Sequence, residues 1–321
     1  MRLHESKDIF RDAIQATADN LRLQSIFIEK DYWLTLALYR ITQTDLADVT
    51  VFKGGTSLSK AYGCIERFSE DVDLAVITEQ GIASNQIKKL LKKITEIASK
   101  DLTEEPAGSS KGSMIRKIYY SYPQTFEGAF GPISNKILLE VNAFAHPSPY
   151  QPLPISTYIY DFLKSRGEDA LIKEFGLEPF PFQVLCLERT FTEKVMAIVK
   201  ASCSDNSTES LRQKIRHIYD IHQLMQREEI QKFVNSADFQ QLLEVVRKFD
   251  QEAPVGDAKW VDMDIAECPI FADTEAVWKS LLPAYRDGLG AIVYGELPAA
   301  DDVLGSLVEL GRIFTKIDLC D

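Results

Sequence analysis

Apolar positions in the first forty residues recur at helical spacing, with Phe10, Ile14 and Leu21 followed by Ile28, Tyr32 and Leu36. They predict helix between about residues 7 and 42. The pattern then changes. Asp48-Val-Thr-Val-Phe-Lys53 is a short β-branched run, Gly54-Gly55-Thr56-Ser57 interrupts it, and Leu58-Ser-Lys-Ala-Tyr62 resumes helical character. The order predicted is strand, glycine turn, helix start. Asp71-Val-Asp73-Leu-Ala-Val-Ile77 predicts a further strand, whose two carboxylates share a face because side chains alternate with a period of two. Ile87, Leu90, Leu91, Ile94 and Ile97 make the apolar stripe of a helix over 83–100, with Ser84 or Asn85 as its N-cap. Residues 114–122 and 136–144 read as two more strands, separated by the turn-rich PQTFEGAFGPIS at 123–134.

From about Pro181 onward the strand signal fades. Segments 184–201, 208–227, 236–249, 274–287 and 300–315 all carry helical periodicity, and 250–273 is irregular and acidic. The first half therefore predicts helices around a mixed sheet, an α/β or α+β domain. The second half predicts a mainly helical domain. The Pro-rich stretch from Pro147 to Pro181 marks the boundary, giving a core domain with N-terminal helices at 1–165 and a helical domain at 166–321. There is no internal repeat, low-complexity tract or coiled coil.

Composition adds limits to this picture. The chain has 321 residues, 45% apolar and 26% charged, which is globular composition rather than that of a disordered chain. Its length accommodates two cores, since single cores rarely grow past ~250–300 residues. The opening MRLHESKD has no apolar region, so no signal peptide is expected. YWLTLALYRI at 32–41 falls short of the ~20 residues that span a bilayer. Cys64, Cys186, Cys203, Cys268 and Cys320 are scattered without a CxxC pair, the expectation for reduced thiols in a cytoplasmic protein. The formal charge is −12, and bulk acidity weighs against a general nucleic-acid binder. The excess is uneven, however. Residues 1–165 carry 19 Lys and Arg against 20 Asp and Glu, whereas 166–321 carry 17 against 28. A near-neutral half can hold a polyanion where the acidic half cannot.

Three features of that half fit one chemistry. Gly54-Gly55-Thr56-Ser57 lies at a helix start, where unpaired amides and two glycines admit a phosphate closely. No GKS or GKT follows, so this is not a P-loop. Asp71 and Asp73 on one strand face can bridge divalent cations. Glu140, in Leu138-Leu-Glu-Val-Asn142, supplies a third carboxylate from another candidate strand. Together they describe a two-metal phosphoryl-transfer site.

Lys53-Gly-Gly-Thr-Ser-Leu-Ser-Lys60 and Arg67-Phe-Ser-Glu-Asp-Val-Asp-Leu74 resemble the AbiEii/AbiGii toxin family of nucleotidyltransferases, within the DNA polymerase β-like superfamily that also contains the MenT toxins. The resemblance extends to Ile28-Glu-Lys-Asp-Tyr-Trp33, Thr192-Glu-Lys-Val-Met-Ala197, Arg216-His-Ile-Tyr-Asp-Ile221 and Val293-Tyr-Gly-Glu-Leu-Pro298, and so runs along nearly the whole chain. It implies a polymerase β-like core with a mixed sheet, followed by the helical domain. It implies Mg²⁺ or Mn²⁺ on Asp71, Asp73 and Glu140, and nucleotide phosphates on Gly54, Gly55, Thr56 and Ser57. Lys194 would meet the triphosphate and Asp220 would be the aspartate of the last motif. By periodicity alone Lys194 reads as a solvated helix residue, and Asp220 equally as an anchor for a neighbouring Arg or Lys.

The resemblance further implies transfer of NMP from an NTP to an RNA or tRNA 3′ end, in a toxin–antitoxin or phage-defence setting with a cognate antitoxin; the short apolar windows lead to no membrane partner being expected. Protein nucleotidylation and a catalytically silent NTP-binding module are the alternatives. Arg67 and Ser69 flank the carboxylates and are expected to pair with them or with phosphate. Lys88, Lys89, Lys92 and Lys93, beside Lys111, Arg116, Lys117 and Lys136, form either a solvated stripe or an RNA-facing surface. His217 and His222, five apart, read as packing residues rather than metal ligands, and Cys64 has no partner arrangement that makes it a nucleophile.

Overall fold

The β-branched run at 50–53 seeds a single mixed sheet in the computed structural model, which describes residues 1–79, 81–128, 134–144, 146–252, 260 and 263–318. Its strands are β1 (Thr50–Lys53), β2 (Asp71–Val76), β3 (Thr103–Lys111), β4 (Ile115–Ser121), β5 (Ile137–Asn142), β6 (Tyr150–Ile155) and β7 (Phe180–Leu185). The strand order is β3-β4-β5-β2-β1-β7-β6. β2 runs parallel to β5, β1 parallel to β7, and the other neighbours are antiparallel. Central strands β1, β2 and β5 are buried at most positions, as their apolar composition requires. Helices α1 (Lys7–Leu21), α2 (Ser25–Thr42), α3 (Gly54–Lys60), α4 (Ser84–Ala98), α5 (Tyr158–Ser165) and α6 (Asp169–Phe175) complete this unit. Ile28, Tyr32, Leu36, Phe52, Leu74, Leu91, Leu139 and Val184 share its core.

The chain divides into two compact units, the first Met1–Gly63 with Phe68–Leu185 and the second Cys64–Arg67 with Cys186–Asp321. The second contains α7 (Leu187–Ser202), α8 (Ser207–Gln213), α9 (Ile215–Met225), α10 (Glu228–Val234), α11 (Ala237–Glu252), α12 (Pro269–Ala272), α13 (Thr274–Pro283) and α14 (Ala300–Asp318). Phe239 anchors its core, with its ring 6.0 Å from that of Phe191 and 5.9 Å from that of Phe314. The four-residue segment Cys64–Arg67 adds an isolated antiparallel bridge, Arg67 to Val293.

The Pro-rich stretch expected to separate the domains instead supplies β6, α5, α6 and β7, and the division falls after Leu185. β6 is an edge strand, where a residue without an N–H is tolerated. Pro154 faces Pro181 across the β6–β7 ladder, and β7 meets β1 only further along, at Val184 opposite Phe52. The helix expected from 184 accordingly starts at Leu187. Helix α4 is capped at Ala83 rather than at Ser84 or Asn85, with Gln86 accepting from the Ala83 amide at 3.3 Å. Cys203 and Cys268, separate in sequence, bring their sulfurs to 3.2 Å. Residues 129–133 of the turn-rich stretch, 253–259, 261 and 262 of the acidic stretch, and Cys320 lie outside the described residues. No helix among the described residues is long and apolar enough to cross a membrane.

Candidate active site

The turn between β1 and α3 is built around one backbone conformation. Lys53 is extended (φ −142°), and Gly54 then takes φ +79°, the left-handed region that a side chain disfavours. A Cβ on Gly54 would collide with Oδ2 of Asp73 and stand 3.0 Å from its Cγ. The glycine is therefore needed both for its torsion and for the approach of a carboxylate. Ser57 Oγ donates to the Gly54 carbonyl at 2.9 Å. Thr56 Oγ1 donates to the Asp71 carbonyl at 2.5 Å and lies 2.9 Å from Ser69 Oγ. Both hydroxyls are buried and engaged, which leaves backbone amides as the turn's offer to a phosphate. Gly54→Ala is expected to lower nucleotidyl transfer by about tenfold or more, through displacement of Asp73. Gly63→Ala, also at positive φ (+57°) but facing open space, is the control for torsional strain alone, with activity and thermal midpoint measured for both.

Strand register gathers the three carboxylates. Asp71 and Asp73 lie two apart on β2, and Asp73 is paired with Glu140 on β5. All three share one face and are half-buried. On that face Asp73 stands between Glu140 and Lys53, while Glu140 has Lys117 on its other side. The row across the sheet thus places two anions side by side with a cation at each end. Neighbouring strands are ~4.8 Å apart, a spacing from which carboxylates reach a common ion. Hard oxygen donors, partly open to solvent, suit Mg²⁺, which keeps several waters. The residues fit such an ion in donor type and in face, although no three His, Cys, Asp or Glu groups among the described residues form a preassembled metal cage.

Lys194 and Asp220, the remaining expected site residues, belong to the second unit and meet there. Asp220 is fully buried. Its Oδ1 accepts from Arg67 Nε and its Oδ2 from Arg67 Nη2, each at 2.7 Å, and Lys194 Nζ reaches Oδ2 at 2.7 Å. Burial alone would raise the Asp220 carboxyl, but the two cations outweigh it and hold the group well below the carboxylate range. Lys194 is 5% exposed, so the solvated-helix reading is corrected: the α7 face that carries it packs inward. Within its own unit Arg67 gives its guanidinium bidentately to Asp220.

The same segment explains the late Val293-Tyr-Gly-Glu-Leu-Pro298 motif. Tyr294 N donates to the Glu66 carbonyl at 2.9 Å, and a Cβ on Gly295 would come within 2.6 Å of Glu66 Cδ. His222 is a packing residue, its Nδ1 2.8 Å from Ser306 Oγ. The His217 ring is held neutral, first by burial and then by Lys194. Burial also pushes the Cys64 thiol up to about 12, which disfavours a thiolate. Of the expected basic surface, Arg116 is buried against Thr95. Lys93, Lys111 and Lys136 each pair with a carboxylate.

Periodicity did not single out Arg67, Glu66 or the buried charges Glu29, Lys30 and Asp31. The last three had a signal, since three consecutive charges interrupt an otherwise apolar helix.

Residues 36–306 match the family model described as nucleotidyl transferase AbiEii toxin, type IV TA system. No curated relative matches the chain. Among solved structures, MenT4, a nucleotidyltransferase toxin from Mycobacterium tuberculosis H37Rv, is similar with a TM-score of 0.51 and 14% identity. The match covers 94% of this chain and 89% of that one. At that identity the likeness concerns the fold.

Proposed function

The chain belongs to the AbiEii family of nucleotidyltransferase toxins of type IV toxin–antitoxin systems, and on that premise we propose that it moves an NMP unit from an NTP to an RNA 3′ hydroxyl, tRNA included. The observation that carries this reading is the pairing of Asp73 with Glu140, two residues from Asp71 and directly under Gly54. Asp71, Asp73 and Glu140 would hold Mg²⁺ or Mn²⁺, which when bound stabilises charge on the triphosphate and favours ionisation of the attacking hydroxyl. The Gly54-Gly55 turn presents backbone amides to phosphate oxygens, with Thr56 and Ser57 fixing its shape. Lys194 is the proposed cation for the triphosphate, and Asp220 orients it. In-line displacement needs no enzyme nucleophile, in keeping with the suppressed thiol of Cys64. Residues 186–321 carry 24 Asp and Glu against 15 Lys and Arg, which makes the second unit the proposed docking partner of a basic antitoxin.

The test supplies each labelled NTP in turn, with Mg²⁺ or Mn²⁺, to the full chain together with total RNA and total protein. Label that enters RNA and is removed by ribonuclease is the expected result. Label that resists ribonuclease and yields to protease would replace the RNA acceptor with a protein hydroxyl. Tight NTP binding without transfer to either would overturn the catalytic reading.

A further inference from the structure

Helix α2 carries three successive ionisable residues, Glu29, Lys30 and Asp31, with 1%, 0% and 3% of their surfaces exposed. Successive helical residues point about 100° apart, so three in a row face three separate segments. Glu29 accepts from the backbone amides of Thr125 and Phe126 at 2.7 and 3.1 Å. Lys30 donates to Glu70 Oε2 at 3.0 Å and to the Ser134 carbonyl at 2.7 Å, and the Ser134 amide closes the ring by donating to Glu70 Oε2 at 2.7 Å. Asp31 Oδ1 lies 2.5 Å from Lys60 Nζ, while its Oδ2 accepts from the Tyr158 amide at 3.0 Å. Lys60 also donates to the Ser156 carbonyl at 2.9 Å.

Stability is a poor reason for this arrangement. Each buried ion costs several kcal/mol of desolvation, and apolar replacements of like volume are often as stable or more so. Position is a better one. Glu70 immediately precedes Asp71, and Lys60 closes the short helix that Gly54 opens. A single rigid helix therefore grips the residue next to the carboxylate strand and the far end of the glycine turn.

We infer that Lys30 and Asp31 are positioning residues for the proposed active site, Lys30 acting through Glu70 on the Asp71–Asp73 strand and Asp31 acting through Lys60 on the Gly54 turn. The inference rests on the assignment of Asp71, Asp73 and the turn to catalysis. It separates two kinetic effects. Loss of the Lys30 contact shifts the carboxylates and falls on kcat, whereas loss of the Asp31 contact loosens the turn and falls on the KM for NTP.

The experiment compares Lys30→Met, Lys30→Met/Glu70→Met, Asp31→Asn and Asp73→Asn in the full chain. Rates are normalised to the fraction folded at the assay temperature, measured by circular dichroism and denaturant titration. Asp31→Asn is expected to raise the NTP KM by about tenfold, and Lys30→Met to lower kcat by about 10²-fold, the scale of an ångström-sized misplacement. The double variant removes both buried charges, so it is expected to recover folding stability but not kcat. Recovery of wild-type kcat by the folded double variant, or an unchanged KM in folded Asp31→Asn, overturns the inference. An Asp73→Asn enzyme as active as wild type overturns the site assignment and this inference together. Inactive Asp73→Asn beside kinetically normal Lys30 and Asp31 variants overturns this inference alone.

Discussion

Asp73→Asn is expected to lower nucleotidyl transfer by about 10³-fold while leaving the thermal midpoint nearly unchanged. The substitution keeps the volume of the side chain and removes only its charge. Asp73 is half-buried, and asparagine fills the same space, so its replacement opens no cavity. The loss should fall on chemistry, where one preorganised electrostatic group is worth ~10²–10³ in rate and a shared metal ligand stands at or above the upper end. Asp71→Asn is expected to behave similarly. Glu140→Gln should cost less, about tenfold to 10²-fold, because Glu140 is one strand removed and has Lys117 as its other neighbour. Steady-state transfer of labelled NTP, with unfolding curves for each variant, decides the matter. An Asp73→Asn enzyme within about threefold of wild type would show that the paired carboxylates serve the fold, since a mechanistic role of this size cannot be masked.

Much of this site was legible because it lies on the most strongly patterned elements. The period-two placement of Asp71 and Asp73 needs only a strand, and β2, β4 and β5 announce themselves by apolar and β-branched runs. The glycine turn was recognisable as a turn, but the reason for Gly54, the Asp73 carboxylate against its Cα, is a long-range contact that no local pattern contains. The strands β3 and β6 were missed for a common physical cause. Edge strands need no apolar alternation and admit proline, and Thr103–Lys111 and Tyr150–Ile155 are both edges. β7 carries a proline opposite the one in β6, which disguised the last strand as linker. Charges were the least legible feature. Lys194 sits on a helix that looks amphipathic from outside, and only its partner, Asp220, tells that it is buried. Arg67 meets the same carboxylate across 153 positions of sequence. The excess of negative charge after residue 165, in contrast, could be read directly and bears on partners rather than on the fold.

The cluster around Asp220 yields the largest expected effect on stability and also separates structure from catalysis. Asp220→Ala leaves Arg67 and Lys194, 3% and 5% exposed, with their shared carboxylate removed. Breaking a buried pair by deleting one partner costs about 3–5 kcal/mol, and here two cations lose a shared carboxylate at once. Most single domains are stable by only ~5–15 kcal/mol, so Asp220→Ala is expected to unfold the second unit at or near physiological temperature. Lys194→Met differs in kind. It removes one cation and leaves the bidentate Arg67–Asp220 pair, with 2.7 Å contacts at both carboxylate oxygens, so the unit should stay folded. If Lys194 serves the triphosphate, that folded variant loses activity; wild-type NTP turnover in it would sink the role. The acid limb gives an independent check. An aspartate titrates near 3.8 when unfolded, but Asp220 is held lower in the fold. The unfolded chain therefore binds the proton first as pH falls, and the stability contributed by Asp220 is complete above pH 4–5 and is lost progressively below it. Lys194→Met removes one of the two cations that depress the group, so its acid unfolding is expected to begin at higher pH than that of wild type. Coincident acid transitions in the two proteins would mean that Arg67 alone sets the charge state of Asp220.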